Sequence, residues 1–159
     1  MPELLAEDTA RAHQLGLELA PAPSPAPLVE ARRLLERLYG EPPAPGRPNP
    51  HLAPVFRLRA TTRDGQSGSV DIRHWPDLGL GYIESVRVSP SNRRRGLGDR
   101  LIRFALGYLH RHGCRQAYAY AATPEGLRLL TRAGFQPQPP DDATTPWRCW
   151  VSCNLTGRG

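Results

Sequence analysis

The sequence predicts a mixed α/β fold, a mainly antiparallel sheet flanked by helices, and three observations carry that prediction. Residues 55–61, 69–75 and 80–88 alternate apolar and polar side chains and are rich in β-branched and aromatic types, the pattern of strands that bury one face. Residues 97–112 instead place Leu97, Leu101, Ala105, Tyr108 and Leu109 at the spacing of one buried helical face, before His112 and Gly113 end the segment. Most of the 18 prolines are concentrated at 21–27, 42–54 and 136–146, which divides the chain into elements joined by loops.

Taken in order, residues 3–19 and 28–39 read as helices, the second with Leu28, Ala31, Leu35 and Leu38 on one face and Gly40 beyond its end. The strands at 55–61 and 69–75 are joined across Arg63-Asp64-Gly65, a hairpin turn signal, and a third strand at 80–88 follows Asp77 and Gly79. An antiparallel meander is therefore expected. After the central helix, residues 115–122 supply a strand, and 124–133 a helix with Thr123 as its cap and Pro124 at its first position. Residues 147–155 form a terminal strand. The expected organisation is a single domain over 1–159, with a helical, proline-rich part at 1–53 and the sheet and core at 54–159. The apolar faces within 1–53 are too small to build a core of their own.

The chain of 159 residues carries a net charge of +6, and all 21 basic residues are arginine. No long apolar run and no charged-apolar-small leader pattern occurs at the N-terminus, so a soluble cytoplasmic protein with no membrane partner is expected. Cys114, Cys149 and Cys153 are odd in number and lack metal-ligand spacing, and the five histidines form no sequence cluster, so neither a disulfide framework nor a metal site is indicated. The location of the charge says more than its size. Arg87, Arg93, Arg94, Arg95, Arg100, Arg103, Arg111 and Arg115 face only Asp99 over 87–115, which points to a polyanionic ligand at that end of the molecule.

Between 85 and 98 the chain reads Ser-Val-Arg-Val-Ser-Pro-Ser-Asn-Arg-Arg-Arg-Gly-Leu-Gly. A strand thus passes through a proline turn into an arginine and glycine loop that opens a helix. Unpaired backbone N–H groups and the positive end of the helix dipole favour an anion there, and glycines let a phosphate approach the backbone. Without lysine, the Gly-x-x-x-x-Gly-Lys-Ser/Thr phosphate loop is excluded.

These residues resemble the GNAT superfamily of acetyl-CoA-dependent N-acetyltransferases, whose signature is Gln/Arg-x-x-Gly-x-Gly/Ala after a strand ending in Val-x-Pro. Arg93 to Gly98 fits the signature, Val88-Ser89-Pro90 fits the strand end, and 127–135, ending in Gly134-Phe135, resembles the family's later helix. The resemblance covers residues 79–135. It implies acetyl-CoA as acyl donor, bound at Val86, Val88, Arg93, Arg94, Arg95, Gly96, Leu97 and Gly98. It also implies that the Val88 backbone N–H polarises the thioester carbonyl, as a strand N–H does in the family. Two departures stand out. The family order begins with a strand, whereas this N-terminus goes almost directly into helical pattern, so the first strand is expected to be missing or replaced. Leu130 stands four residues before Gly-Phe, where many members carry a tyrosine that protonates the leaving thiolate, and leucine cannot do so.

For proton removal from the acceptor amine, strict alternation along 80–88 puts Tyr82, Glu84, Val86 and Val88 on one face and Ile83, Ser85 and Arg87 on the other, with Glu84 the candidate base. The competing role for Glu84 is an exposed strand carboxylate paired with an arginine. Tyr118 is the candidate acid, with Tyr120 projecting beside it. The expected reaction is acetyl transfer to an amine that the sequence does not name, in an oligomeric state it leaves open. Its rivals are an inactive CoA-binding regulator of the same fold and, ranked lower for want of interleaved aromatics, an arginine-rich nucleic-acid-binding protein.

Overall fold

The computed structural model describes residues 2–22, 29–39, 55–61, 67–75, 78–88, 96–140 and 142–156. The elements run α1 (Pro2–Gln14), β1 (Leu17–Pro21), α2 (Val29–Tyr39), β2 (Val55–Thr61), β3 (Ser67–Trp75), β4 (Leu80–Val88), α3 (Leu97–Arg111), β5 (Gln116–Ala121), α4 (Pro124–Arg132), β6 (Gln136–Pro137) and β7 (Cys149–Asn154). One seven-stranded sheet orders them β1-β2-β3-β4-β5-β7-β6. The β4–β5 pair is parallel and the other neighbours are antiparallel, as a meander joined to a helical crossover requires. The hairpin turn read at 63–65 lies outside the described residues.

The N-terminal reading needs correction. The stretch 3–19 is not one helix: α1 ends at Gln14, the chain turns through Leu15 and Gly16, and β1 pairs with β2 from Leu17↔Ala60 to Pro21↔Phe56. The first strand expected to be missing is therefore present. Leu17 and Leu19 suit a helical face as well as a strand face. Pairing with the edge of β2, which places both leucines in the core and Glu18 outside, decides between them.

Two apolar clusters lie on opposite faces of the sheet. On one, α3 and α4 cover Val70, Ile72, Ile83, Ala117, Ala119 and Val151, and α1 joins them through Leu5 and Ala12. Close packing brings α3 so near β4 that a Cβ added to Gly81 would lie 2.6 Å from Leu109 Cδ1, so glycine is needed there. On the other face, Leu34 and Leu35 of α2 meet Trp75, Leu80, Tyr82, Tyr118 and Trp150. The three cysteines are free and buried, and burial pushes the Cys114 thiol up to about 12 and that of Cys149 upward.

Candidate active site

The candidate site lies where β4 parts from β5. Their pairing runs from Leu80↔Gln116 to Ile83↔Ala119, while β4 continues to Val88. The cause is visible in the β3–β4 register, in which Ser69↔Arg87 and Asp71↔Glu84 are successive partners on one face. Two steps along β3 thus match three along β4, which makes a β-bulge that bends the strand and raises its local twist. Beyond it, Val86 packs into the same core as Ile83. The alternation that grouped Val86 with Glu84 fails at this bulge, and Arg87, assigned to the opposite face, lies on the Glu84 face.

Past β4 the chain enters α3 through Gly96, whose φ of 75° is left-handed and favours glycine. Gly96 caps the helix without a side-chain hydrogen bond, and among the described residues a Cβ there would meet nothing within 4 Å. Leu97 and Gly98 are buried at the start of α3. Asp99, an awkward neighbour for a phosphate, is engaged by Arg103 Nε at 2.8 Å one turn along the helix. Arg93, Arg94 and Arg95 lie outside the described residues, as does the side chain of Val88.

Glu84 is buried rather than exposed, and Arg73 Nη2 donates to its Oε1 at 3.0 Å. Beside it Asp71, also buried, takes a two-pronged contact from Arg57, with Nε to Oδ1 at 2.8 Å and Nη2 to Oδ2 at 3.1 Å. That hydrogen bond to Asp71 raises the Arg57 pKa above its usual value. Tyr118 donates through its hydroxyl to Gln116 Oε1 at 3.0 Å and sits opposite Tyr82, within the paired part of β4 and β5. Tyr120, beyond the last β4–β5 pair, stands edge-on to Trp150 at 5.3 Å between ring centroids. Leu130, at the family's tyrosine position, is part of the α3/α4-side core with Ala133 and Phe135. Thr123 caps α4, its hydroxyl accepting from Gly126 N at 3.0 Å.

Sequence reasoning missed Arg73, Asp71 and Arg57. The signal was present, because Asp71 and Arg73 alternate with Val70 and Ile72, but that pattern also describes a solvated strand face. It also missed a second polar group behind the sheet. Asp8, fully buried, accepts from Arg111 Nε at 2.6 Å and contacts His112 Nε2 at 2.7 Å. His112 stacks on Tyr108 at 4.1 Å, and His74 lies 5.4 Å from His112. Burial, then the neighbouring His112, lowers the His74 pKa to about 4. Among the described residues no group of three or more His, Cys, Asp or Glu side chains is placed to hold a metal ion, and no helix is long and apolar enough to cross a membrane.

A mostly antiparallel sheet that opens along one parallel pair and feeds a glycine turn at a helix start defines the class of N-acyltransferase folds. The acetyltransferase (GNAT) family model matches residues 56–135, and the chain belongs to that family. Solved structures agree on the fold. A putative acyl-CoA N-acyltransferase from Klebsiella pneumoniae is 17% identical at a TM-score of 0.56, over 87% of this chain and 97% of that one. The ribosomal-protein-S18-alanine N-acetyltransferase from Escherichia coli is 15% identical at 0.52, over 90% and 96%. The PaiA N-acetyltransferase from Thermoplasma acidophilum, in complex with coenzyme A, is 13% identical at 0.54, over 63% and 60%. A nourseothricin acetyltransferase is 18% identical at 0.53, and this chain spans 65% of its length. No curated protein matches the sequence.

Proposed function

We propose that this chain is an N-acetyltransferase that carries the acetyl group of acetyl-CoA to an amine. The observation that supports it best is the parting of β4 from β5 after Ile83↔Ala119, with β4 running on toward the left-handed Gly96 and the start of α3. In this reading the thioester enters the opening and its carbonyl takes the Val88 backbone N–H, which stabilises negative charge as the amine attacks. The phosphates lie on the turn of Arg93, Arg94, Arg95, Gly96, Leu97 and Gly98, with Val86 beside the pantetheine arm. Glu84, held in place by Arg73, accepts the amine proton directly or through water. The C–S bond breaks as the amide forms, and the thiolate takes a proton from Tyr118, Tyr120 or water. Residues 1–159 act as one domain in this reading, as a cytoplasmic enzyme.

Calorimetry with acetyl-CoA tests the donor site: wild type binds, and Gly98→Trp, checked for folding by circular dichroism, does not. Equal binding would place the donor elsewhere. Thiol release over a panel of amines tests turnover. With an accepted amine, Glu84→Gln lowers the rate most at pH values where that amine is protonated, and an unchanged pH–rate profile removes Glu84 from the mechanism. Leu130 in the core favours a second reading, a CoA-binding regulator, which the same panel reports as binding without thiol release.

A further inference from the structure

The bulge in β4 sets a cation beside the candidate base. Strict alternation separates Glu84 from Arg87, but the observed register puts Glu84 opposite Asp71 and Arg87 opposite Ser69, and Asp71 and Ser69 share one face of β3. The row through Ser69 continues across the sheet as Arg87, Ser69, Arg59 and Glu18. Arg59, Arg87 and Glu18 are exposed and Ser69 is half-buried. In the next row Arg57 meets Asp71, and Glu84 is met by Arg73 from the row beyond, opposite Tyr82. Among the described residues neither Arg59 nor Arg87 has an ion-pair partner, Glu18 included.

We propose that Arg59, Ser69 and Arg87 form an anion subsite for the acceptor, which is therefore an amine that also carries a carboxylate. The inference rests on the acyltransferase reading above. Neighbouring strands lie about 5 Å apart, so Arg59 and Arg87 stand on either side of Ser69 at a backbone separation that two extended arginine side chains can close on one anion above its hydroxyl. The Ser69 and Asp71–Glu84 rows are two residues apart along β3, about 7 Å, which sets the distance from the anion to an amine held at Glu84. That span suits an ω-amino acid, or a peptide amine whose second residue is acidic, better than an α-amino acid.

The probe is 5-aminopentanoate, with pentylamine as the control that lacks the carboxylate, on the full chain with and without CoA. The expected result is that the acid, and not pentylamine, shifts the arginine Nε–Hε NMR signals of Arg59 and Arg87. The Arg59→Gln/Arg87→Gln double variant, at exposed positions that a polar residue tolerates, then weakens binding of the acid about 10- to 100-fold. The ratio of KM for the acid to KM for pentylamine rises by the same factor, and comparing Ala-Asp-amide with Ala-Asn-amide distinguishes peptide from free acid. No shift at either arginine, or a KM ratio that the double variant leaves unchanged, overturns the subsite while leaving the acyltransferase standing. Binding through both arginines without thiol release from any amine supports the subsite and overturns the acyltransferase reading.

Discussion

On the α3 and α4 side of the sheet, Val70, Ile72, Ile83, Ala119 and Val151 meet Leu101, Ile102 and Leu106, all nearly inaccessible to solvent. On the α2 side, Asp71, Arg73 and Glu84 are buried just as deeply, beside Trp75, Tyr82 and Trp150. The first face is held by contacts that need only volume and shape, since apolar burial is non-directional. The second is held partly by ion pairs that exist only if β2, β3 and β4 keep one register. A buried carboxylate or guanidinium is costly unless matched, so the polar face tolerates less error than the apolar one.

The largest expected effect comes from breaking that match. Arg73→Met leaves Glu84 as a buried charge without its Nη2 donor and lowers stability by about 3–5 kcal/mol in urea unfolding, whereas adding Glu84→Leu restores most of the loss. A loss under about 1 kcal/mol for the single variant would mean that this face, too, is held by packing alone. On the apolar side, Leu101→Ala costs about 3 kcal/mol through lost transfer energy and the cavity left behind. Its effect is the same at pH 7 and pH 5, because no charge is involved.

His74 is a polar intrusion on the apolar side, next to the group of Asp8, Arg111 and His112, and contributes a pH dependence to that face. Its folded pKa of about 4 lies below the ordinary value near 6.5, so the unfolded chain binds the extra proton. Its contribution is complete above about pH 6.5 and is lost as pH falls toward 4, an effect on the order of 2 kcal/mol. Thermal unfolding at pH 7 and pH 5 measures it: His74→Leu loses less on acidification than wild type, and parallel losses would place the acid sensitivity elsewhere. The smallest effect is local. Thr123→Ala removes the bond from Gly126 N and lowers stability by about 1 kcal/mol at every pH.

Much of the fold was legible because its signals are short-range. The strands at 55–61 and 80–88, the helix at 97 and the Thr123-Pro124 cap each follow from periodicity or capping chemistry within a few residues. Errors arose where one pattern served two structures. Leu17 and Leu19 fit a helix until β2 offered an edge, and the two-residue β6 is too short to carry a pattern. The candidate site was only half legible for a related reason. Glu84 and Tyr118 stand out by type, but Arg73, which ties to Glu84, lies 11 residues away and is named only by cross-strand register.

What the sequence determined by itself is therefore the order of the elements from β2 to α4, the glycine turn at the start of α3 and the family, since these depend on residue types at fixed local spacing. Only the tertiary structure decided which side chains meet. The bulge after Glu84 is a mismatch of counts between two strands, and neither strand carries it alone. By adding one residue to β4 it sends Val86 into the core, brings Arg87 onto the Glu84 face and parts β4 from β5. The physical reason is that side-chain facing has a period of two, so a single-residue shift between strands reverses every assignment beyond it.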